Sequence, residues 1–129
     1  MKKLMFAMLL LIIGACSSDG DSLIEEMFIP NVSNQWTSDR NSRFFFNPSN
    51  TKVNESDFLG SEQTNIADVN GETFFEHSGH FKNYDINFTF TTGEDKGVKY
   101  SGKFIKGSNP LRIEVTGTNG KKIVITQVL

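Results

Sequence analysis

Hydrophobic and polar positions alternate over most of the second half of the chain. From Asp85 to Thr91, Ile86, Phe88 and Phe90 fall on one side of a period-two strand, and Asp85, Asn87, Thr89 and Thr91 on the other. Val98, Tyr100, Gly102 and Phe104 alternate in the same way with Lys99, Ser101 and Lys103, and Leu111, Ile113 and Val115 with Arg112, Glu114 and Thr116. Turn formers separate these runs: Asn83-Tyr84, Gly93 to Gly97, Gly107-Ser108-Asn109-Pro110, and Asn119-Gly120, which leads into Ile123, Ile125 and Gln127. The pattern predicts a meander for the last four strands.

Upstream, Ile66 to Val69, Asn70-Gly71 and Glu72 to Phe81 read as a hairpin closed by a type I′ turn. Arg43 to Phe46 carries three consecutive phenylalanines, which a strand divides two to one face and one to the other. Thr51 to Thr64 is polar, with Val53, Phe58 and Leu59 as its apolar anchors, and is expected to be the least regular part of the domain. Together these runs predict an all-β domain over 31–129, with about seven to nine strands joined by short turns. Closure into a small antiparallel up-and-down barrel removes the unpaired edges that an open sheet would leave. Gly79 and Gly102, inside strands, are places for such a barrel to bend.

Asn34-Gln35-Trp36 resembles the Gly-x-Trp first strand of lipocalin-like barrels, with Asn34 in the glycine's place. A tryptophan plugging one end of any β core is the plainer reading of Trp36. Trp36, Ile86, Phe88, Phe90, Tyr100 and Phe104 are the candidate barrel interior. Small barrels either fill with side chains or hold one small ligand, and large rings favour filling.

The N-terminal segment has a different pattern. Met1-Lys2-Lys3 is basic, Leu4 to Ile13 is apolar throughout, and Gly14-Ala15 supplies the small residues of a cleavage site, which together read as a secretory signal. The run is far short of the roughly 20 residues that span a bilayer. Cys16, the one cysteine in the chain, follows at once. This arrangement resembles the lipobox of bacterial lipoproteins, which implies cleavage of residues 1–15, acylation of Cys16, and a lipid anchor in the cell outer membrane. Residues 16–30 would then be lipidated cysteine and tether. Ser17-Ser18-Asp19-Gly20-Asp21-Ser22 has tether composition and is similar to the segment that marks surface-exported lipoproteins of the Bacteroidota. Asp21-Ser22-Leu23 resembles the O-glycosylation sequon of that group, which makes Ser22 a candidate glycan site. Leu23 to Ile29, ended by Pro30, is too short for a stable helix and reads as a lid or further tether.

Composition narrows the function classes. The formal net charge is −2, and removal of Lys2 and Lys3 with the signal makes it more acidic, which argues against nucleic acid as a partner. Glu76-His77-Ser78-Gly79-His80 holds both histidines. A strand places them on opposite faces, so joint coordination would need a bulge at Gly79; Glu76, Ser78 and His80 share a face, and solvated outward-facing polar residues are the reading, with no metal or cofactor expected. No nucleophile sits in a recognisable catalytic motif, and Glu25-Glu26 and Glu94-Asp95 lie in tether or turn, where solvation is expected. A non-enzymatic domain is therefore expected, for binding or envelope interaction, with a small hydrophobic molecule or a protein as partner. The alternative is an inhibitor or immunity lipoprotein that presents loops to a foreign enzyme. Tyr100-Ser101-Gly102-Lys103 loosely resembles the Ser-Gly loop of membrane-bound lysozyme inhibitors.

Overall fold

A computed structural model describes residues 26–129; Cys16, Ser22 and the signal segment lie outside the described residues. Among those described, eight strands form a closed antiparallel barrel in which each strand pairs with its neighbours in sequence and the first pairs with the last. They are β1 (Trp36–Ser38), β2 (Ser42–Pro48), β3 (Glu55–Thr64), β4 (Phe74–Lys82), β5 (Asp85–Phe90), β6 (Lys99–Phe104), β7 (Arg112–Gly117) and β8 (Lys122–Gln127). This is the small meander barrel of lipocalin-like type. β1 closes it, pairing Trp36 with Phe44 on one side and with Gln127 on the other.

Two elements differ from the sequence pattern. Thr51 to Thr64 is not irregular: Glu55–Thr64 is the longest strand of the barrel. Its inward positions are Ser56, Phe58, Gly60 and Glu62, so a single apolar side chain marks its inner face and the alternation is hidden. Leu59, taken for an anchor, points outward and is exposed. The second difference is the stretch Ile66 to Val69, which is not a strand. It lies in the β3–β4 loop, where the Asp68 carboxylate accepts the backbone N–H groups of Asn70 and Glu72, each at 2.9 Å. Asn70-Gly71 turns the chain within that loop rather than between paired strands.

Inward residues fill the barrel. Trp36, Phe44, Phe46, Phe58, Phe81, Ile86, Phe88, Phe90, Tyr100, Phe104, Ile113 and Ile125 are all buried, and the rings pack mostly edge-on or tilted, as their quadrupoles favour. Glycines let the strands carry these rings. A Cβ on Gly60 would lie 2.4 Å from Cε1 of His77 on the neighbouring strand, so glycine there leaves room for an inward imidazole.

One end of the barrel is sealed by the chain that leads into it. Phe28 stacks on Tyr84 at 4.2 Å between ring centres and tilts against Phe104, and its N–H donates to Asn83 Oδ1 at 3.1 Å. Pro30 and Val32 are buried, and Trp36 Nε1–H donates to the Val32 carbonyl at 3.0 Å. Part of the segment read as tether thus packs on the barrel as a plug. The opposite end, where the β1–β2, β3–β4, β5–β6 and β7–β8 connections lie, is the mouth.

Candidate functional site

The mouth is organised by three charged residues that are far apart in sequence. Arg40, on the β1–β2 turn, donates from Nε to Glu62 Oε2 at 2.6 Å and from Nη2 to the other oxygen of the same carboxylate. Its Nη1 donates to Asp95 Oδ2 at 3.0 Å. The bidentate fork on Glu62 is the geometry that gives arginine–carboxylate pairs their directionality. Ser42 Oγ donates to Glu62 Oε2 at 2.5 Å, and Tyr100 Oη–H donates to Asp95 Oδ2 at 2.8 Å. Glu62 is almost fully buried, and these partners are what make an inward carboxylate tolerable there.

Electrostatics and packing agree on the role of Arg40. Burial by itself would lower its pKa, but the hydrogen bonds and charges of Glu62 and Asp95 outweigh burial and hold it well above its ordinary range. The guanidinium carbon stands 5.6 Å from the ring centre of Phe90 and 5.9 Å from that of Tyr100, within reach of cation–π attraction. Arg40 therefore lies across the top of the aromatic column as a charged cap. Tyr100 is pushed above its usual pKa by burial first and by its bond to Asp95 second, so it stays a neutral donor.

Above this cap lies a cleft of about 310 Å³. Ile66, Ala67, Phe75 and Phe90 give it apolar walls, and Glu62, Asp68, Glu94 and Asp95 face Arg40 and Lys121 around it. Carboxylates outnumber cations there, so the cleft carries a negative balance. Ile66 in its lining, at 78% exposure, and Val69 farther along the same loop, at 89%, present bare apolar side chains to solvent.

The residues singled out from the sequence fall as follows. Trp36, Ile86, Phe88, Phe90, Tyr100 and Phe104 all lie inside the barrel and are buried; of these, Phe90 lines the mouth cleft and Tyr100 holds its ion cluster through Asp95. Cys16 and Ser22 lie outside the described residues. His80, Glu76 and Ser78 are outward, and His80 bonds Asp57 at 2.7 Å and Glu55 at 2.9 Å, bonds that raise its pKa, Asp57 first. His77, on the opposite face of β4, points inward and is not among the solvated residues of the segment; it is ringed by Phe44, Phe46, Phe58, Phe88 and Phe90. Neither ring nitrogen has a hydrogen-bond partner of ordinary geometry. Burial pushes its pKa down to about 4, and an approach to the Ser61 backbone offsets only part of that.

Asp95 is a correction, since it is tied into the ion cluster rather than solvated with Glu94. Tyr100-Ser101-Gly102-Lys103 lies within β6 and is not an inserting loop: a Cβ on Gly102 would stand 1.8 Å from the Glu114 carbonyl oxygen, so this backbone is pressed against β7. Sequence reasoning missed Arg40 and Glu62. The signal for Glu62 is its parity with Phe58 and Gly60 on β3, a charged residue at an inward position. Among the described residues no group of three or more His, Cys, Asp or Glu side chains is placed to hold a metal ion.

Compared with protein-family models, with curated proteins and with solved structures, the chain has no match.

Proposed function

We propose that this protein is a lipid-anchored, non-enzymatic binding domain of the bacterial outer membrane, and that it takes its ligand at the mouth of the barrel rather than inside it. The observation that carries the reading is the mouth cleft, apolar-walled and floored by the Arg40–Glu62–Asp95 cluster, above an interior occupied by rings. Clefts that combine apolar walls with a few fixed polar groups are where small molecules bind. The negative balance of the rim favours an amphipathic molecule whose polar end is cationic.

Support for the anchor comes from the sequence: the basic start, the apolar run, the small pair and the single cysteine at position 16. A lone cysteine in an exported protein is otherwise a free thiol in an oxidising compartment, and acylation removes it. The fold fits this arrangement, because the chain reaches the barrel at the sealed end, through Phe28. A lipid at Cys16 is therefore joined to the barrel at the end opposite the mouth.

Two experiments test the reading. Cells fed an alkynyl palmitate should label the wild-type protein and not Cys16→Ser; equal labelling of both sinks the anchor. For the cleft, phenethylamine and 3-phenylpropionate share an aromatic body and differ in charge. Binding of the amine in the millimolar range, weakened severalfold by Ile66→Ser and weaker still for the acid, is expected; equal binding of the two refutes the charge argument. A second reading, inhibition of a protein partner through the mouth, is favoured by the bare Ile66 and Val69 and by half-exposed Phe74 where that loop enters β4. In that case Val69→Asp abolishes capture of the partner and leaves amine binding intact.

A further inference from the structure

The sealed end carries its own surface features. Met27 at 70% exposure and Ile29 at 51% stand on the segment that crosses this end, and Val128 and Leu129 follow β8 there. The two groups are joined: Gln127 Nε2 donates to the Asn31 carbonyl at 3.1 Å, and the Val128 N–H donates to the Gln35 carbonyl at 2.8 Å. Beside them a cleft of about 200 Å³ is lined by Ile29, Pro30, Val32, Pro48, Lys52 and Phe81. Lys52 on the β2–β3 loop occupies the same end. The carboxylates there are largely engaged, Glu26 by Lys106 and Asp85 by Lys103. The mouth, by contrast, is rimmed by Asp68, Glu94 and Asp95.

We infer that the sealed end is a docking surface for the lipid bilayer, with Met27, Ile29, Val128 and Leu129 entering the headgroup boundary and Lys52 facing lipid phosphates. The inference rests on the anchoring of Cys16 proposed above. Nine residues lie between Cys16 and Glu26, ten Cα-to-Cα steps whose reach at full extension is about 35 Å. An anchor on so short a leash keeps the sealed end at high effective concentration over the membrane. Exposed apolar side chains beside a lysine are the chemistry that the bilayer interface rewards, weakly for each residue and usefully once the chain is already tethered. Docking then fixes the barrel upright, instead of letting it swing on its tether, with the acidic mouth pointing outward.

The test uses the full, acylated protein in vesicles of phosphatidylethanolamine and phosphatidylglycerol. Acylated Cys16 has no free thiol, so single substitutions Met27→Cys, Leu129→Cys and, at the mouth, Val69→Cys each accept one environment-sensitive fluorophore. Quenching by spin-labelled lipid tails severalfold stronger at positions 27 and 129 than at 69 is expected, and Ile29→Asp with Val128→Asp should abolish the difference while the protein stays anchored. Equal, weak quenching at all three positions in protein whose acyl mass at Cys16 is verified overturns the docking surface and leaves the anchor standing. If no acyl mass is found the anchor reading falls by itself. The same quenching measured on added vesicles, with Cys16→Ser to remove the second thiol, then decides docking: strong quenching at 27 and 129 supports it and none overturns it.

Discussion

Lowering the pH from 7.5 to 5 is expected to remove about 2 kcal/mol of folding stability from the wild-type barrel through His77 alone. The ring is buried among five phenylalanines without hydrogen-bond partners, and burial lowers its pKa from 6.5 to about 4. The unfolded chain titrates near the ordinary value of about 6.5. Between those two values the unfolded chain holds a proton that the folded imidazole does not. Stability is therefore complete above about pH 7, falls as the pH drops through 6.5, and stops falling below about 4; the whole window is worth about 3 kcal/mol. The assay is urea denaturation followed by Trp36 fluorescence at both pH values, for wild type and for His77→Leu, which is close in volume and cannot titrate. Carboxylates titrate in both proteins, so the difference between their losses isolates the imidazole. His77→Leu should lose about 2 kcal/mol less than wild type. Equal losses would refute the reasoning, because they would mean that water reaches the ring and that the interior is not the dry, filled core described above.

Arg40→Met strands the buried Glu62 carboxylate and should destabilise the barrel by about 3 to 5 kcal/mol, whereas the double change with Glu62→Leu should recover most of that; thermal unfolding of the three proteins checks both. Gly102→Ala sets a methyl against the Glu114 carbonyl oxygen and should cost about 2 kcal/mol, read as a lowered Tm, with an unchanged Tm counting against the close strand contact. Phe28→Ala removes the stack on Tyr84 from the sealed end and should cost about 2 kcal/mol, the ring being only half-buried, without changing amine binding at the mouth.

The barrel was legible wherever one face of a strand is apolar and the other polar. Ile86, Phe88 and Phe90 on β5 and Ile113 and Val115 on β7 announce their direction by composition, and burial in a closed barrel is what that alternation means. β3 was illegible for the same reason in reverse: its inner face holds Ser56, Gly60 and Glu62, and the last two have their places inside through residues elsewhere in the chain, Glu62 through Arg40 on the β1–β2 turn and Gly60 through His77 on β4. The polar character that hid the strand marks the candidate site. Ile66 and Val69 misled in the opposite sense, as apolar residues on a loop that Asp68 stabilises by local hydrogen bonds. The parity of β4 separates His77 from His80, but which of the two faces inward shows only once the strands are in register and Gly60 stands opposite His77.

The central claim is that ligand binds above Arg40 and not within the barrel. The most direct measurement is a ¹H–¹⁵N NMR titration of the protein with phenethylamine. Shifts concentrated at Arg40, Ile66, Ala67, Phe75 and Asp95, with Phe46, Phe88 and Phe104 unmoved, are the result expected. Shifts led by Phe46, Phe88 and Phe104, or spread along the inward face of the strands, would place the ligand inside and contradict it.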